Sequence, residues 1–320
     1  MRNVRTVIGV LAAMAISAAP AAAQDKAADV LAAARQAIGG GKLDSLKTLS
    51  VQSHMARNMG ERQMQSDIQI LIETPDKYAR IEEMTAPVAR TMTSGFSGDA
   101  AIRPAGMSMG AGGGMMIVMG GPGGGAPPAP KMTPEQEVEL NTMLLRSQRT
   151  DVSRLMLGWL AMTHPSLDAT YTYAGEAESP DGKAHVIDVK AADFDAKLFI
   201  DQATNLPLMI TYRAPEPRMM TMRGPGGASG GAVVAQHGAA APPAGPGQAG
   251  QAPASQAQLD ATRMEPPKMA DYQVYFSDWR DVSGIKFPHV MQRATGGATV
   301  EEWEITKVGV NQKIDPKKFQ

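Results

Sequence analysis

The sequence predicts a mainly β (α+β) protein, built as one large antiparallel sheet of about ten strands with helices covering one face. Three observations carry this prediction. Short segments of alternating apolar and polar residues recur along most of the chain. Most neighbouring segments are joined by short turns rich in Gly, Pro, Asn and Asp, which pair strands antiparallel. One longer segment, residues 134–160, instead has apolar residues at helical spacing along its length.

The two predicted helices have clear boundaries. Residues 25–38 are Ala-rich with apolar residues at helical spacing, and a run of glycines from Gly39 ends this short helix. The long helix has Thr133 as its N-cap, Pro134 as its first residue and Gln136 placed to close a capping box. Both helices are therefore expected to present one apolar face to the sheet.

The predicted strands are most regular in the C-terminal tail. Residues 272–279, 285–292 and 298–308 form three consecutive strands, with turn residues at Asp281–Gly284 and Thr295–Gly297. The other predicted strands are 49–55, 64–72, 77–84, 88–96, 100–103, 169–177, 184–191, 195–201 and 208–213. Neighbours in the sequence are expected to be neighbours in the sheet.

The N-terminus is typical of an export signal. Arg2 and Arg5 precede an apolar stretch, residues 7–16, which is too short to span a bilayer. Small residues up to Ala23 then form a cleavage site, so residues 1–23 are predicted to be a signal peptide. The mature chain is expected to be periplasmic and not membrane-spanning. With no cysteine, it has no disulfide and no N-terminal Cys to carry a lipid.

Composition separates two segments from the rest. Residues 104–130 and 215–267 are rich in Gly, Pro and Ala and lack the apolar density of a core. We interpret them as insertions in a single domain, residues 24–320. Without Arg2 and Arg5, the 31 basic residues become 29 against 32 acidic ones, a net charge of −3. With no basic block, the sequence does not predict a nucleic-acid partner.

The sequence offers no arrangement typical of catalysis. No two of its five histidines have ligand spacing, and no nucleophile elbow, zinc-protease motif or phosphate loop is present. The acidic pairs Asp278/Asp281 and Glu301/Glu302 are interpreted as turn caps and a solvated strand face. The chain is therefore predicted not to be an enzyme and to need no cofactor.

Methionine is unusually frequent, with 23 residues. Thioethers at close spacing are ligands for Cu(I), which makes a copper-binding protein one alternative. The other interpretation is that methionine serves as an adaptable apolar side chain. The methionines that cluster in or beside the two insertions are Met107, Met109, Met115, Met116, Met119, Met219, Met220 and Met222.

Three motifs, taken in order, resemble those of LolA/LolB-type outer-membrane lipoprotein-sorting proteins. Residues 199–207, with sequence FIDQATNLP, resemble the IDxxTxLP hairpin of that family. Residues 275–288, YFSDWRDVSGIKFP, resemble its FSDYRDVxGIKxPH segment, and residues 73–78 resemble its PDK turn. The resemblance covers most of the chain outside the insertions. Two features depart from the pattern: the insertions themselves, and Ala100-Ala101-Ile102 where an aromatic residue is usual.

The resemblance implies a strongly curved antiparallel half-barrel, wrapped around the long helix and enclosing an apolar concave cavity. It further implies a soluble periplasmic carrier of a lipid or of the acyl chains of a lipoprotein. A module that binds an envelope protein, without cargo transfer, remains an alternative beside copper binding. On this interpretation the cavity residues come from the helix and the facing strand: Ile68, Ile70, Ile72, Leu144, Leu155, Met156 and Trp159.

Overall fold

The computed structural model describes residues 12–15, 20–60, 62–85, 89–104, 107–109, 115–117, 132–179, 182–216, 218–221, 232–235 and 268–320. The helices are α1 (Pro20–Ile38), α2 (Gly41–Asp44), α3 (Pro134–Leu160) and a 3₁₀ helix (Pro316–Phe319). The strands are β1 (Ala12–Ala15), β2 (Thr48–Met59), β3 (Arg62–Glu73), β4 (Lys77–Met84), β5 (Arg90–Ser97), β6 (Ala100–Ile102), β7 (Met107–Met109), β8 (Met115–Ile117), β9 (Thr170–Ser179), β10 (Gly182–Ala191), β11 (Phe194–Asp201), β12 (Pro207–Pro215), β13 (Arg218–Thr221), β14 (Ala232–Ala235), β15 (Met269–Val282), β16 (Ile285–Thr295) and β17 (Ala298–Val310).

Thirteen of these strands form one sheet, in the order β1-β9-β10-β11-β12-β15-β16-β17-β2-β3-β4-β5-β6. Most neighbours in the sheet are also neighbours in the sequence, and their printed registers are antiparallel, as predicted. The strand β17 returns to pair with β2 and so joins the tail to the first half of the chain. The segments predicted to be strands, about ten in the fold-class prediction and twelve when each is counted, match every strand of this sheet except β1, which lies inside the predicted signal peptide. It pairs with β9, Ala12 opposite Glu178.

The sheet is curled around α3. Near the start of α3's buried part, the Arg146 guanidinium lies 2.9 Å from Asp193, in the turn between β10 and β11. One helical turn later, Arg149 donates to Asp99, in the turn between β5 and β6, at 3.0 Å. Strand β11 is fourth and β5 twelfth in the sheet order, so a flat sheet would hold them eight spacings or roughly 38 Å apart. Because two helix residues one turn apart contact the turns beside these two strands, the sheet forms the predicted half-barrel.

The alternation of β3 shows how the strands position the core. Ile68, Ile70 and Ile72 face inward and are buried in the main core cluster together with α3. Leu71, between them, faces outward and packs with Phe319 of the C-terminal 3₁₀ helix in a second cluster. The inner face of the sheet is thus apolar at its centre, as the sequence pattern predicts.

Two turns show what two of the sequence motifs encode in this structure. In the β11–β12 turn, the Asp201 carboxylate accepts hydrogen bonds from the Thr204 backbone N–H and hydroxyl, at 2.6 and 2.7 Å. This arrangement leaves Asn205 at a φ of 56°, which Asn tolerates better than most residues. In the β15–β16 turn, the Asp281 carboxylate accepts from the Gly284 N–H at 2.9 Å. Both motifs encode turn geometry directly.

Both predicted helices are confirmed. In α1 the residues Ala27, Val30, Ala34 and Ile38 form the buried stripe, and the helix ends where Gly40 donates its N–H to the Arg35 carbonyl. The start predicted at residue 25 was wrong, because the preceding alanines are strong helix formers and extend α1 back to its proline.

The start of α3 follows the predicted capping box. The Gln136 N–H donates to the Thr133 hydroxyl at 3.3 Å, and the Gln136 side chain accepts from the Thr133 N–H at 2.9 Å. Within the described part of the chain, no helix has an apolar stretch long enough to cross a membrane.

Contacts divide the chain into two compact units. The first contains residues 1–102, 144–213 and 271–320 and includes the large sheet. The second contains residues 103–143 and 214–270, which include both low-complexity segments. Its described residues include two short antiparallel hairpins, β7–β8 and β13–β14. Both segments predicted to be insertions therefore contain short strands.

Candidate functional site

The structure places the predicted cavity residues in the interior of the half-barrel. Six of them have an exposed fraction of at most 3%: Ile68, Ile70, Ile72, Leu144, Met156 and Trp159. All of these except Leu144 belong to the main core cluster, and Leu155 packs against that cluster from a partly buried position. Side chains of α3 therefore fill the place where a cargo is predicted to bind. Contact of these residues with a cargo stays a prediction.

Helix α3 approaches the sheet closely at its C-terminal end. The indole ring of Trp159 lies 5.0 Å from the ring of Phe287 on β16, measured between centroids. Next to it, Gly158 lies so close to Phe276 of β15 that a Cβ atom there would overlap the phenyl ring. The glycine is thus required by the packing, although it lowers helix propensity.

Three arginines hold α3 to the sheet, and we call them the arginine clasp: Arg146, Arg149 and Arg154. The first two make the ion pairs with Asp193 and Asp99 described above. The third places its guanidinium 4.0 Å from the ring centre of Tyr212 on β12. The two aspartate side chains are 44% and 97% exposed, and ion pairs this exposed contribute only about 0–1 kcal/mol each. The clasp therefore orients α3 without locking it.

A row of charged residues crosses the inner face at one end of the apolar region. Glu301 on β17 lies opposite Arg293 on β16 and opposite Arg57 on β2. Its carboxylate accepts from Arg293 at 2.7 Å and from Arg57 at 3.1 Å. It also accepts from the Trp303 indole N–H at 2.6 Å. We call Arg293, Glu301 and Arg57, with Arg80 and Glu82 of β4, the arginine row.

The β4 members complete this arginine row. The Glu82 carboxylate accepts from Arg80 at 3.1 Å and from the Ser66 hydroxyl at 3.2 Å. It also lies 4.0 Å from the Arg57 guanidinium. The guanidinium of Arg80 lies 5.1 Å from the ring centre of Trp303. Three arginines thus share two carboxylates, because Arg57 contacts both Glu82 and Glu301.

The electrostatics of Glu301 follow from this arrangement. Burial by itself would raise its pKa, since it disfavours a charged carboxylate. The charges of Arg293, Arg57 and Arg80 and the Trp303 hydrogen bond outweigh burial and lower the pKa of Glu301 to about 2. Glu301 is therefore ionised at neutral pH and holds two of the arginines in place.

The prediction that Glu301 lies on a solvated strand face was wrong. Its residue is only 4% exposed, whereas its neighbour Glu302 is exposed. Sequence reasoning could have found this from the alternation of β17, in which Glu301 shares a face with Trp303 and Ile305. The other row members continue apolar inner faces in the same way, Arg57 after Met55 being the clearest.

A buried histidine lies beyond the end of α3. His164 is fully buried, its Nδ1 accepts the Ser166 backbone N–H at 3.1 Å, and its ring meets that of Phe96 edge-on at 5.4 Å. Burial, followed by the nearby charge of Arg149, lowers the pKa of His164 to about 4. The imidazole is therefore neutral at neutral pH.

The structure describes part of the alternative copper site. Met107, Met109, Met115 and Met116 lie in the β7–β8 hairpin, where Met109 is opposite Met115. Met219 and Met220 lie in β13, while Met119 and Met222 fall outside the described residues. Among the described residues, no group of three His, Asp or Glu side chains could hold a metal ion.

A surface groove of about 360 Å³ runs along α1, lined by residues that include Leu31, Arg35 and Gly40. None of the predicted cavity residues lines it.

No family model matches the sequence, and no curated protein matches it. Among solved structures, the chain is similar to a LolA superfamily protein from Nitrosomonas europaea, with 9% identity and a TM-score of 0.44 over 92% of this chain and 97% of that one. It is also similar to a putative outer membrane lipoprotein-sorting protein domain from Vibrio parahaemolyticus, with 10% identity, a TM-score of 0.43 and the same shares of the two chains. A DUF1329 family protein from Desulfovibrio piger is similar at 7% identity and a TM-score of 0.42, over 93% and 97% of the chains.

Proposed function

We propose that this chain binds and carries a lipid or the acyl chains of a lipoprotein in the periplasm, without a catalytic step or a cofactor. The observation that supports it best is the packing of α3. The apolar inner face of a curled sheet is covered by α3 together with α1, and the buried residues of α3 include Met156 and Trp159. The arginine clasp connects α3 to the sheet margins through two exposed ion pairs and one ring contact. Such a helix is suited to act as a gate.

The energetics favour an exchange of contacts during binding. In the present closed arrangement, α3 side chains cover the sheet. Burying an acyl chain stabilises a complex by about 0.8 kcal/mol per methylene, so a long chain gains on the order of 10 kcal/mol before ordering losses. The clasp opposes opening by only about 0–1 kcal/mol per exposed pair. A cargo inserted between α3 and the sheet would keep the apolar faces of both covered.

The function is tested on protein purified from its own cell envelope. Native mass spectrometry followed by organic extraction is expected to show a bound lipid or acylated peptide. The purified protein is also expected to bind the neutral fluorescent probe N-phenylnaphthylamine. A protein that is empty and fails to bind the probe would contradict the proposal.

Copper binding remains a second candidate, because β7 and β8 place Met109 opposite Met115. Methionine is a residue type that favours Cu(I), and the backbone register brings these two positions opposite each other. The same native mass spectra distinguish the two functions. A stoichiometric copper adduct that disappears on replacing these methionines with leucine would favour copper.

Gly158→Ala is the sharpest test of the gate. The added methyl would overlap the Phe276 ring, and overpacking of this kind costs about 1–3 kcal/mol, of which the higher helix propensity of Ala offsets about 1. We therefore expect a stability loss of about 0–2 kcal/mol in urea unfolding. If α3 is the gate, the same change should speed uptake of N-phenylnaphthylamine, because the helix is pushed from the sheet.

A second change distinguishes gating from general damage. Combining Gly158→Ala with Phe276→Leu removes the ring that the new methyl would meet. The double variant should take up the probe more slowly than Gly158→Ala alone. Uptake unchanged in Gly158→Ala, despite its lower stability, would argue against α3 as the gate.

A further inference from the structure

We propose that the arginine row is a binding site for an anionic headgroup, so that the cargo is an anionic amphiphile whose carboxylate or phosphate ester pairs with these guanidinium groups. This inference rests on the proposed function and names the chemical class of its ligand.

The arginine row lies next to the apolar inner face of the sheet, where the acyl chain is proposed to bind. On β4, the inward side chains run from Tyr78 to Arg80 and Glu82, opposite Ile72, Ile70 and Ile68 of β3 in that order. On β2, Arg57 continues the inner face after Met55. The apolar face therefore changes into a charged one along the same strands.

The charge balance of the row favours an anion. Three arginines, at positions 57, 80 and 293, face two glutamates, at 82 and 301. The charge of Asp151 on α3 also acts on Arg80, but Arg154 pairs with Asp151 at 3.3 Å. One guanidinium group therefore remains in excess. The Nε–H of Arg293 is buried and has no hydrogen-bond partner among the described residues. Guanidinium donors in excess over acceptors are suited to bind a carboxylate or phosphate in a bidentate manner.

The exposed fractions of these side chains also favour an anionic ligand. The side chains of the three arginines are 24–32% exposed, whereas those of the two glutamates are 9% and 6% exposed. The arginine side chains are therefore more accessible to a ligand than the carboxylates. The stacked pair Tyr212 and Tyr272 adds an aromatic wall, since Arg293 lies 5.3 Å from the Tyr272 ring centre.

The test compares ligands that differ only in their head. Laurate and dodecanol share the same alkyl chain, and each is used to displace N-phenylnaphthylamine from the full chain at neutral pH. We expect laurate to bind at least about tenfold more tightly at low salt, as charge-assisted hydrogen bonds imply. The preference should shrink at high salt to the extent that the headgroup remains accessible to solvent. Inorganic phosphate alone should displace neither the probe nor laurate.

Variants then locate the effect. Arg293→Met is expected to reduce laurate affinity to that of dodecanol and to leave dodecanol binding unchanged. Arg213→Met, which alters an arginine that is 69% exposed and outside the row, should keep the preference for laurate. The comparison of laurate with dodecanol on the unaltered chain is sufficient to decide whether the headgroup site exists. An Arg293 variant that fails to fold therefore does not affect the test.

The outcomes separate the two proposals. Equal binding of laurate and dodecanol would overturn the headgroup site and leave the carrier function standing. Displacement of laurate by inorganic phosphate at similar concentrations would overturn it in favour of a site for a free anion. A chain that binds none of the probes would contradict the carrier function, and this inference with it.

Discussion

Glu301→Gln is expected to lower the free energy of unfolding by about 3–5 kcal/mol, the usual cost of removing one partner from a buried ion pair. The glutamine keeps the shape of the side chain but not its charge. Arg293 and Arg57, which Glu301 contacts at 2.7 and 3.1 Å, would then lose their shared counter-charge inside the half-barrel. Chemical unfolding of the purified chain in urea measures the change.

The matched control is Glu302→Gln. This residue follows Glu301 directly but lies on the exposed face of β17, so its change should fall within about 0.5 kcal/mol of zero. Adding Arg293→Met to Glu301→Gln should recover part of the loss, because one unpaired guanidinium is then removed. If Glu301→Gln cost no more than Glu302→Gln, the row would not be the coupled network that its distances indicate.

The same substitution has a functional readout. Neutralising Glu301 leaves three arginines facing only Glu82 in the row. In variants that remain folded, an anionic amphiphile should therefore bind more tightly, while a neutral one of equal length should not. Stability and ligand affinity would then change in opposite directions, which a purely structural role for the row does not predict.

Much of the fold could be predicted from the sequence because its determinants are local. Alternation in a strand such as β3 fixes which side chains face inward, and turn residues such as Asp201 and Asp281 fix where strands reverse. The capping box at Thr133 fixes where α3 begins. Each of these features involves residues within a few positions of one another, and each was predicted from the sequence.

The arginine row was missed because its contacts are not local. Arg57 and Glu301 lie 244 positions apart and meet only because β17 pairs with β2. A charged residue in an alternating strand is usually a solvated one, and that default assigned Glu301 to the wrong face. The useful signal in the sequence was that Trp303 and Ile305 lie on the same face of the strand as Glu301. A charge in line with large apolar residues indicates a buried partner of opposite sign.

The position of α3 shows a second limit. Its apolar face predicts that it packs on the sheet, but the pattern does not distinguish a helix that lines an open cavity from one that fills it. The fully buried Trp159 and the contact of Gly158 with Phe276 settle the packing in this structure. The structure places most of the predicted cavity residues among buried side chains. Their contact with a cargo stays a prediction, and it would require movement of α3.

Replacing His164 is expected to change how stability depends on pH. In the folded chain the pKa of His164 is about 4, compared with an ordinary value of 6.5. Well above the ordinary value, both the folded and the unfolded chain hold a neutral imidazole, and the residue contributes no pH dependence. Between the two values the unfolded chain binds a proton that the folded chain does not. The free energy of unfolding therefore falls as the pH falls, by about 3 kcal/mol in total.

His164→Asn isolates this contribution. The asparagine carbonyl can still accept the Ser166 N–H that His164 Nδ1 accepts at 3.1 Å, but it does not titrate. Urea unfolding between about pH 7 and about pH 4 should show a loss for the unaltered chain that the variant largely lacks. His54→Asn, which changes an exposed histidine on β2, should retain the loss. If both variants retained it, His164 would already be protonated in the folded chain, and its ring would need an acidic partner rather than the apolar face of Phe96. A flattened profile for His164→Asn alone would show that the buried neutral imidazole accounts for the loss of stability at low pH.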